Sequence, residues 1–429
     1  MLWRAACSCL SGSRADGHDF AHEAITSGAV AVLATRATGV ASVIVDDVVT
    51  AMSDLARAVA ARYRGTVLAI TGSAGKTSTK DLLTQILARS GSVVATERSF
   101  NNEIGFPHTV LRVQADTDFL VVEMGARGAG HISHLAGIAR PTIAAVLGVG
   151  SAHLGEFGSR EAIATAKREL VEALDATGTA VLNIDDPLVR AMAAHTAARV
   201  VWFGTDPEAS VRAEDVTLDA HARACFVLRY GSERAPVRLR VVGGHHLTNA
   251  LAAAALALSA GVPFATVADT LEQVGLLSGS RMEVTEREDG VTIVNDAFNA
   301  SPESVAAALE SLAALCAGGR PAIAVLGEMR ELGNSAAEVH REVGRHAAEL
   351  GIDELIAVGA DHARLMTEAA RAAGGARVTH VTTRDEALEV LTSLLRRREV
   401  VLFKGANSAG LFETAAALAA MPIAESRPS

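Results

Sequence analysis

The chain has 429 residues, enough for roughly two to four domains that each bury a core, and we expect three. Hydrophobic residues at 49% beside charged residues at 21% describe a globular protein rather than a disordered one, and a formal charge of -10 argues against a nucleic-acid partner. Four scattered cysteines (Cys7, Cys9, Cys225, Cys316) suit a reducing compartment better than a disulfide framework, and no run approaches the ~18 apolar residues of a membrane span, so the expected location is the cytoplasm.

Residues 1–64 read as a small α/β module: AHEAITSG as a helix ended by Gly28, AVAVLAT as a buried strand, SVIVDD as a second strand, then an Ala-rich helix from about Thr50 to Arg64. The residues before Asp16 read as irregular, where such a module wants another strand or two, and we expect the front end to be incomplete. Next comes TVLAITGSAGKTSTKDLL. A β-branched run stops at Gly72, small residues lead to Gly75-Lys76-Thr77, and a helix-compatible segment follows. In that strand, loop and helix order, consecutive N–H groups of Gly72, Ser73, Ala74, Gly75, Lys76, Thr77 and Ser78 can face a phosphate chain. Lys76 would reach the outer phosphates and the Thr77 hydroxyl would hold Mg²⁺. Position 70 is Ile where the longer phosphate-loop pattern has its first Gly, and a plain Gly turn with a solvated lysine fits the same residues.

From residue 65 to 277 apolar strands alternate with helices, as in a parallel sheet covered on both faces, with strands in FLVVEMG, TIAAVLGVG and TAVLNIDDP. Glu123 and His153 then fall at or beyond C-terminal strand ends, where open α/β sheets bind ligands. Ser159 caps a helix carrying Lys167, CFVLRY and VRLRVV form a β-hairpin excursion, and Asn249 opens a helix that Gly261 ends. A third alternating unit, residues 278–429, has strands in VTIVNDAF, AIAVLGEM, ELIAVGA, VTHVTT and VVLFKGA and a helix started by Ser301-Pro302-Glu303. The tail after Met421 is expected to fray.

In order, the blocks TGSAGKTSTKDLL, SFNNEIGFPHTVL, VVEMGARGAGHISHLAGIARPTIAAVLGVGSAHLGEFGS, AKREL, GGHHLTNALAA, SRMEV, NDAFNASPESV, AVLGEMRELG and LFKGANSAG resemble those of the Mur ligases, the ATP-dependent amide-forming enzymes of peptidoglycan assembly. The resemblance is strongest to the members that append D-alanyl-D-alanine to a UDP-N-acetylmuramoyl (UDP-MurNAc) tripeptide. It implies three domains: a donor-binding module, a central ATP-binding sheet and a Rossmann-like C-terminal sheet. It also implies ATP and Mg²⁺ as cofactors, two small-molecule substrates and a monomer. By the same resemblance Lys76, Glu123, His153 and Lys167 are the catalytic set. Thr77, Glu123, His153 and a carbamylated Lys167 would serve the metals, while Asn249, Arg281, Asp296 and Asn299 contact the nucleotide. Asn101, Asn102 (the stronger of the two) and Glu103 would face the donor, and Lys404 and Ser408 belong to the segment that closes over substrate. Taken alone, Glu123 could instead cap a helix, Lys167 could lie on a solvated face and Asn299 could simply form a turn. The chain departs from the family in having no room for a uridine-contacting segment before DGHDF, in lacking an aromatic before Arg281, and in carrying Phe298 and Ser301 where Tyr and Asn are frequent. A ligase with another carboxylate donor, and a non-catalytic nucleotide-binding protein, are the competing expectations.

Overall fold

The computed structural model describes residues 6–12, 15–375, 377–396 and 398–422; the part of the tail from 423 onward, expected to fray, lies outside them. Three sheets follow one another along the chain. The first is small and parallel, in the order β1 (Ala6–Ser8), β2 (Ala31–Ala34), β3 (Ser42–Ile44). Its first strand corrects the expectation that everything before Asp16 is irregular. Three small residues without β-branching give no strand signal, yet Cys7 registers with Val32 beside the buried core of β2. Helix Val48–Arg62, capped by Asp47 accepting from Thr50 N at 2.6 Å, leads out of this module.

The central sheet has nine strands: β4 (Thr66–Thr71), β5 (Val93–Ala95), β6 (Phe119–Glu123), β7 (Ile143–Val146), β8 (Thr179–Asn183), β9 (Arg199–Gly204), β10 (Val211–Leu218), β11 (Arg223–Tyr230) and β12 (Glu233–Val242). Their order is β12-β11-β10-β9-β8-β7-β4-β6-β5, parallel except for the β10-β11-β12 ribbon. The expected hairpin is thus the outer part of a three-stranded antiparallel extension. Strands from β4 to β9 are apolar on both faces because helices cover both. Helices Lys76–Leu87 and His246–Ser259 pack together on one face. The second begins one turn before Asn249, where we had placed its start, because the His246 and Leu247 amides already bond to Gly243 O and Gly244 O. Asn249 therefore faces inward from the first turn and is 5% exposed.

The third sheet holds β13 (Glu283–Glu286), β14 (Thr292–Asn295), β15 (Ala322–Gly327), β16 (Glu354–Val358), β17 (Arg377–Val381) and β18 (Val400–Lys404) in the order β13-β14-β18-β15-β16-β17. Only β13 runs antiparallel. Helix Pro302–Cys316 starts as its sequence demands, with Ser301 and Ser304 forming a reciprocal capping box and Pro302 at the first position.

Candidate active site

Strand β4 pairs with β6 on one side and β7 on the other, so the connections leave it in opposite directions and open a crevice at its C-terminal end. The chain enters that crevice through Gly72 and turns at Gly75, whose φ of +81 caps helix Lys76–Leu87 in the left-handed region. A Cβ on Gly75 would run into Asn249 Oδ1. Ser73 N donates to Gly148 O at 3.0 Å, and Lys76 Nζ folds back to Gly72 O at 2.7 Å. Beyond Ser73, the amides from Ala74 to Ser78 have no backbone partner among the described residues, and they lie at a helix N-terminus with one cation arched over them, the geometry of an anion cradle. Burial, aided by Arg281, holds the Lys76 ammonium below its ordinary pKa, against the pull of Glu123.

Glu123 ends β6 with no exposed surface. Its Oε2 accepts from Thr77 Oγ1 at 3.1 Å and from Asn101 Nδ2 at 3.5 Å, while Oε1 has no hydrogen-bond partner among the described residues. Burial pushes its carboxyl above the carboxylate range, and Lys80, Lys76 and Arg281 pull the other way. A buried carboxylate with one oxygen unpaired, beside a threonine hydroxyl, suits a hard cation.

His153 takes a left-handed φ of +63 just beyond β7. Its Nδ1 contacts Glu331 of the third unit and lies 3.7 Å from Glu156, and the three side chains bring ligand atoms within 4.8 Å of one another. Sequence reasoning missed Glu331, although it lies in the quoted block AVLGEMRELG, because nothing local links it to His153. Lys167 is not on a solvated face: it is 6% exposed, with no hydrogen bond or ion pair among the described residues. Burial and the neighbouring Lys76 hold its amine well below the ordinary lysine pKa.

The third sheet contributes the opposite wall. Arg281 lies over the Phe298 ring at 4.4 Å, and its Nε is buried without a partner among the described residues. Lys404 Nζ binds Asp296 Oδ2 at 2.6 Å and Asn299 O at 3.0 Å. Asp296 in turn accepts from Met282 N, while the Asn299 and Ser408 side chains are exposed. Near β6, Asn101 reaches Glu123, whereas the Asn102 oxygen caps helix Gly105–Leu111 by accepting from Gly105 N at 2.9 Å; Glu103 is exposed. Phosphate loop, Glu123, Asn101 and Asn249 therefore form one cluster, His153 joins it to the third sheet through Glu331, and Lys404 stays with Asp296.

The chain is similar to known proteins along most of its length. The Mur ligase middle domain matches residues 70–257, and the Mur ligase glutamate ligase domain matches residues 280–407. The chain is 45% identical to the UDP-N-acetylmuramoyl-tripeptide--D-alanyl-D-alanine ligase of Mycobacterium tuberculosis, over 96% of this chain and 89% of that protein. Among solved structures it is similar to MurF from Acinetobacter baumannii (TM-score 0.86, 30% identity, 97% of this chain and 90% of that one). It is also similar to the MurF ligase of Thermotoga maritima in complex with ADP (TM-score 0.81, 29% identity, 96% and 93%).

Proposed function

The chain belongs to the Mur ligase family, and from that premise we propose that it joins D-alanyl-D-alanine to UDP-MurNAc-tripeptide at the expense of ATP in peptidoglycan precursor synthesis. The γ-phosphoryl group passes from ATP to the donor carboxylate and ADP is released. The amine of D-alanyl-D-alanine attacks the acyl phosphate, loses a proton, and the tetrahedral intermediate expels phosphate to leave the amide. Such chemistry needs alignment and charge neutralisation more than a protein nucleophile. The observation that carries the reading is the Glu123 carboxylate, buried at the mouth of the phosphate loop with one oxygen unpaired among the described residues.

The loop amides and Lys76 hold the phosphates, and Asn249, Arg281, Asp296 and Asn299 hold the rest of the nucleotide. Thr77 and Glu123 would hold one Mg²⁺, and His153 with Lys167 would serve a second, neutralising the phosphate charge that develops during transfer. Asn101, Asn102 and Glu103 face the donor, and Lys404 and Ser408 belong to the closing segment. The proposed boundaries are 1–64, 65–277 and 278–429, and the proposed state is a cytoplasmic monomer; among the described residues no helix is long and apolar enough to cross a membrane.

The test is phosphate release from ATP with D-alanyl-D-alanine, with and without UDP-MurNAc-tripeptide. Release that requires both substrates supports the reading. Release with a different carboxylate donor, and none with this one, overturns the donor assignment.

A further inference from the structure

The phosphate-loop helix carries a buried ion pair that the ligase reading leaves without a role. Lys80 and Asp81, one turn beyond Lys76, are 5% and 0% exposed, with Lys80 Nζ 2.6 Å from Asp81 Oδ1. A buried pair is by itself weak evidence for stability, so its other partners decide what it does. Asp81 accepts three hydrogen bonds from the segment that crosses to the third sheet: Leu277 N at 3.1 Å, Ser278 N at 2.8 Å and Ser278 Oγ at 3.1 Å. Lys80 donates to Ser278 Oγ at 3.5 Å and to Thr96 O at 3.1 Å. Thr96 Oγ1 in turn accepts from the backbone N of Glu123 at 3.1 Å. One turn further along, Gln85 Nε2 holds Gly275 O at 2.6 Å.

Immediately after this anchored stretch the backbone is strained. Ser280 and Met282 both take left-handed φ, +56 and +51, on either side of Arg281. The chain thus leaves the clamp, turns sharply, and presents Arg281 back toward the charges of Glu123, Asp296 and Asp81, with its Nε unpartnered among the described residues.

We propose that Lys80 and Asp81 are positioning residues: they lock the interdomain segment at Ser278 to the phosphate-loop helix, so that Arg281 meets the bound nucleotide in fixed register with Glu123. The idea rests on the ligase reading for its chemistry but on the hydrogen-bond network for its geometry. Lys80 is the bridge, touching the segment at Ser278 and the β6 side at Thr96. Asp81 is the anchor, since three donors of one short segment converge on its carboxylate.

The experiment compares the full-length wild type with Asp81→Asn, which keeps the shape and loses the charge, and with Ser278→Ala, which removes one hydroxyl from the segment and leaves the helix intact. Kinetic constants are measured per folded molecule. ADP affinity without the other substrates is measured as well, with the radius of gyration in solution before and after ADP and both substrates are added. We expect kcat to fall about 100-fold in Asp81→Asn and about tenfold in Ser278→Ala. ADP affinity should fall far less than kcat, by about fivefold at most through looser Arg281 contact, because the loop itself is untouched. The variants should also lose ligand-driven compaction, and Asp81→Glu should recover part of both. Unchanged kcat in folded Asp81→Asn, or a loss matched by an equal loss of ADP affinity, overturns the clamp. If the wild type releases no phosphate with these substrates, the ligase reading fails instead. The compaction measurement with ADP still decides the clamp, since it needs no turnover.

Discussion

Lys167 has the side chain of an ordinary amphipathic-helix lysine and the surroundings of a reactive one. Its amine is buried with no counter-ion among the described residues, and desolvation together with Lys76 holds its pKa well down. A neutral amine is the form that can take up carbon dioxide, and the resulting carbamate would replace a repelled cation with oxygen ligands. Lys167→Ala should lower kcat by about 100-fold, and millimolar short carboxylates should restore part of it. Loss without any such recovery counts against carbamylation. A second consequence concerns His245, whose pKa burial lowers to about 4, with Lys404 adding to the shift and Asp296 opposing it. The unfolded chain binds this proton near pH 6.5 and the folded one only near 4, so between those values the unfolded state holds more protons. Stability is therefore full above pH 6.5 and is lost as pH falls toward 4, by about 3 kcal/mol from this group. Urea unfolding at pH 7 and pH 5 should show the loss, and His245→Gln should reduce it; an identical pH dependence in that variant would discount His245. The neighbouring His246, also held well below the ordinary histidine pKa by burial, adds to the slope.

The phosphate loop is the element in which local sequence and tertiary packing agree most closely. Gly75 needs a left-handed φ and leaves no room for a Cβ, because Asn249 from helix His246–Ser259 presses against it. Gly75→Ala combines backbone strain of about 1 kcal/mol with displacement of Asn249. ADP affinity should fall at least about tenfold with the overall fold preserved, as titration and circular dichroism would show. Wild-type affinity would mean that the loop adapts. The loop was legible because a β-branched strand, two glycines and GKT lie within one short stretch. The helix starts at Ser159 and Ser301 were legible for the same reason, since a cap and its first turn are local. What escaped was short or nonlocal. Val93–Ala95 and Arg199–Gly204 gave no strand signal strong enough to pick out, and Ala6–Ser8 gains its strand character only from β2. No pattern in SAHLGEFGS predicts Glu331, and none in STKDLL predicts Ser278, because those contacts exist only once two domains meet.

At the scale of the whole molecule, one of the places where the central and C-terminal units meet is the loop of residues 150–155, which presents glycines at close approaches. A Cβ on Gly150 would lie 2.7 Å from the Glu303 carboxyl carbon, and one on Gly155 would lie 2.5 Å from Gly333 N. Into the first gap Glu303 extends Oε1, which accepts from Ser151 N at 2.6 Å and Ser151 Oγ at 2.7 Å; at the second, Gly155 N donates to Glu331 O at 2.9 Å. A single exposed carboxylate contributes little to folding, so Glu303→Ala should leave the thermal midpoint nearly unchanged. Its effect should fall on turnover, because an acyl phosphate survives only in a site closed to water and Glu303 ties the C-terminal unit to the central one at Ser151. We expect kcat to drop about tenfold and ADP affinity to stay unchanged, with a rising share of ATP hydrolysed without amide formation. That uncoupling separates a latch from a merely structural contact, since loss of folded protein would lower both products in proportion. Gly150→Ala should reproduce it by pushing Glu303 away. The Asp81 anchor and the Glu303 latch share no partner, so combining Asp81→Asn with Glu303→Ala should give nearly additive losses in log kcat. A double variant no worse than Asp81→Asn alone would mean that the latch closes only after the interdomain segment is in register, which would make closure a single ordered motion rather than two independent attachments.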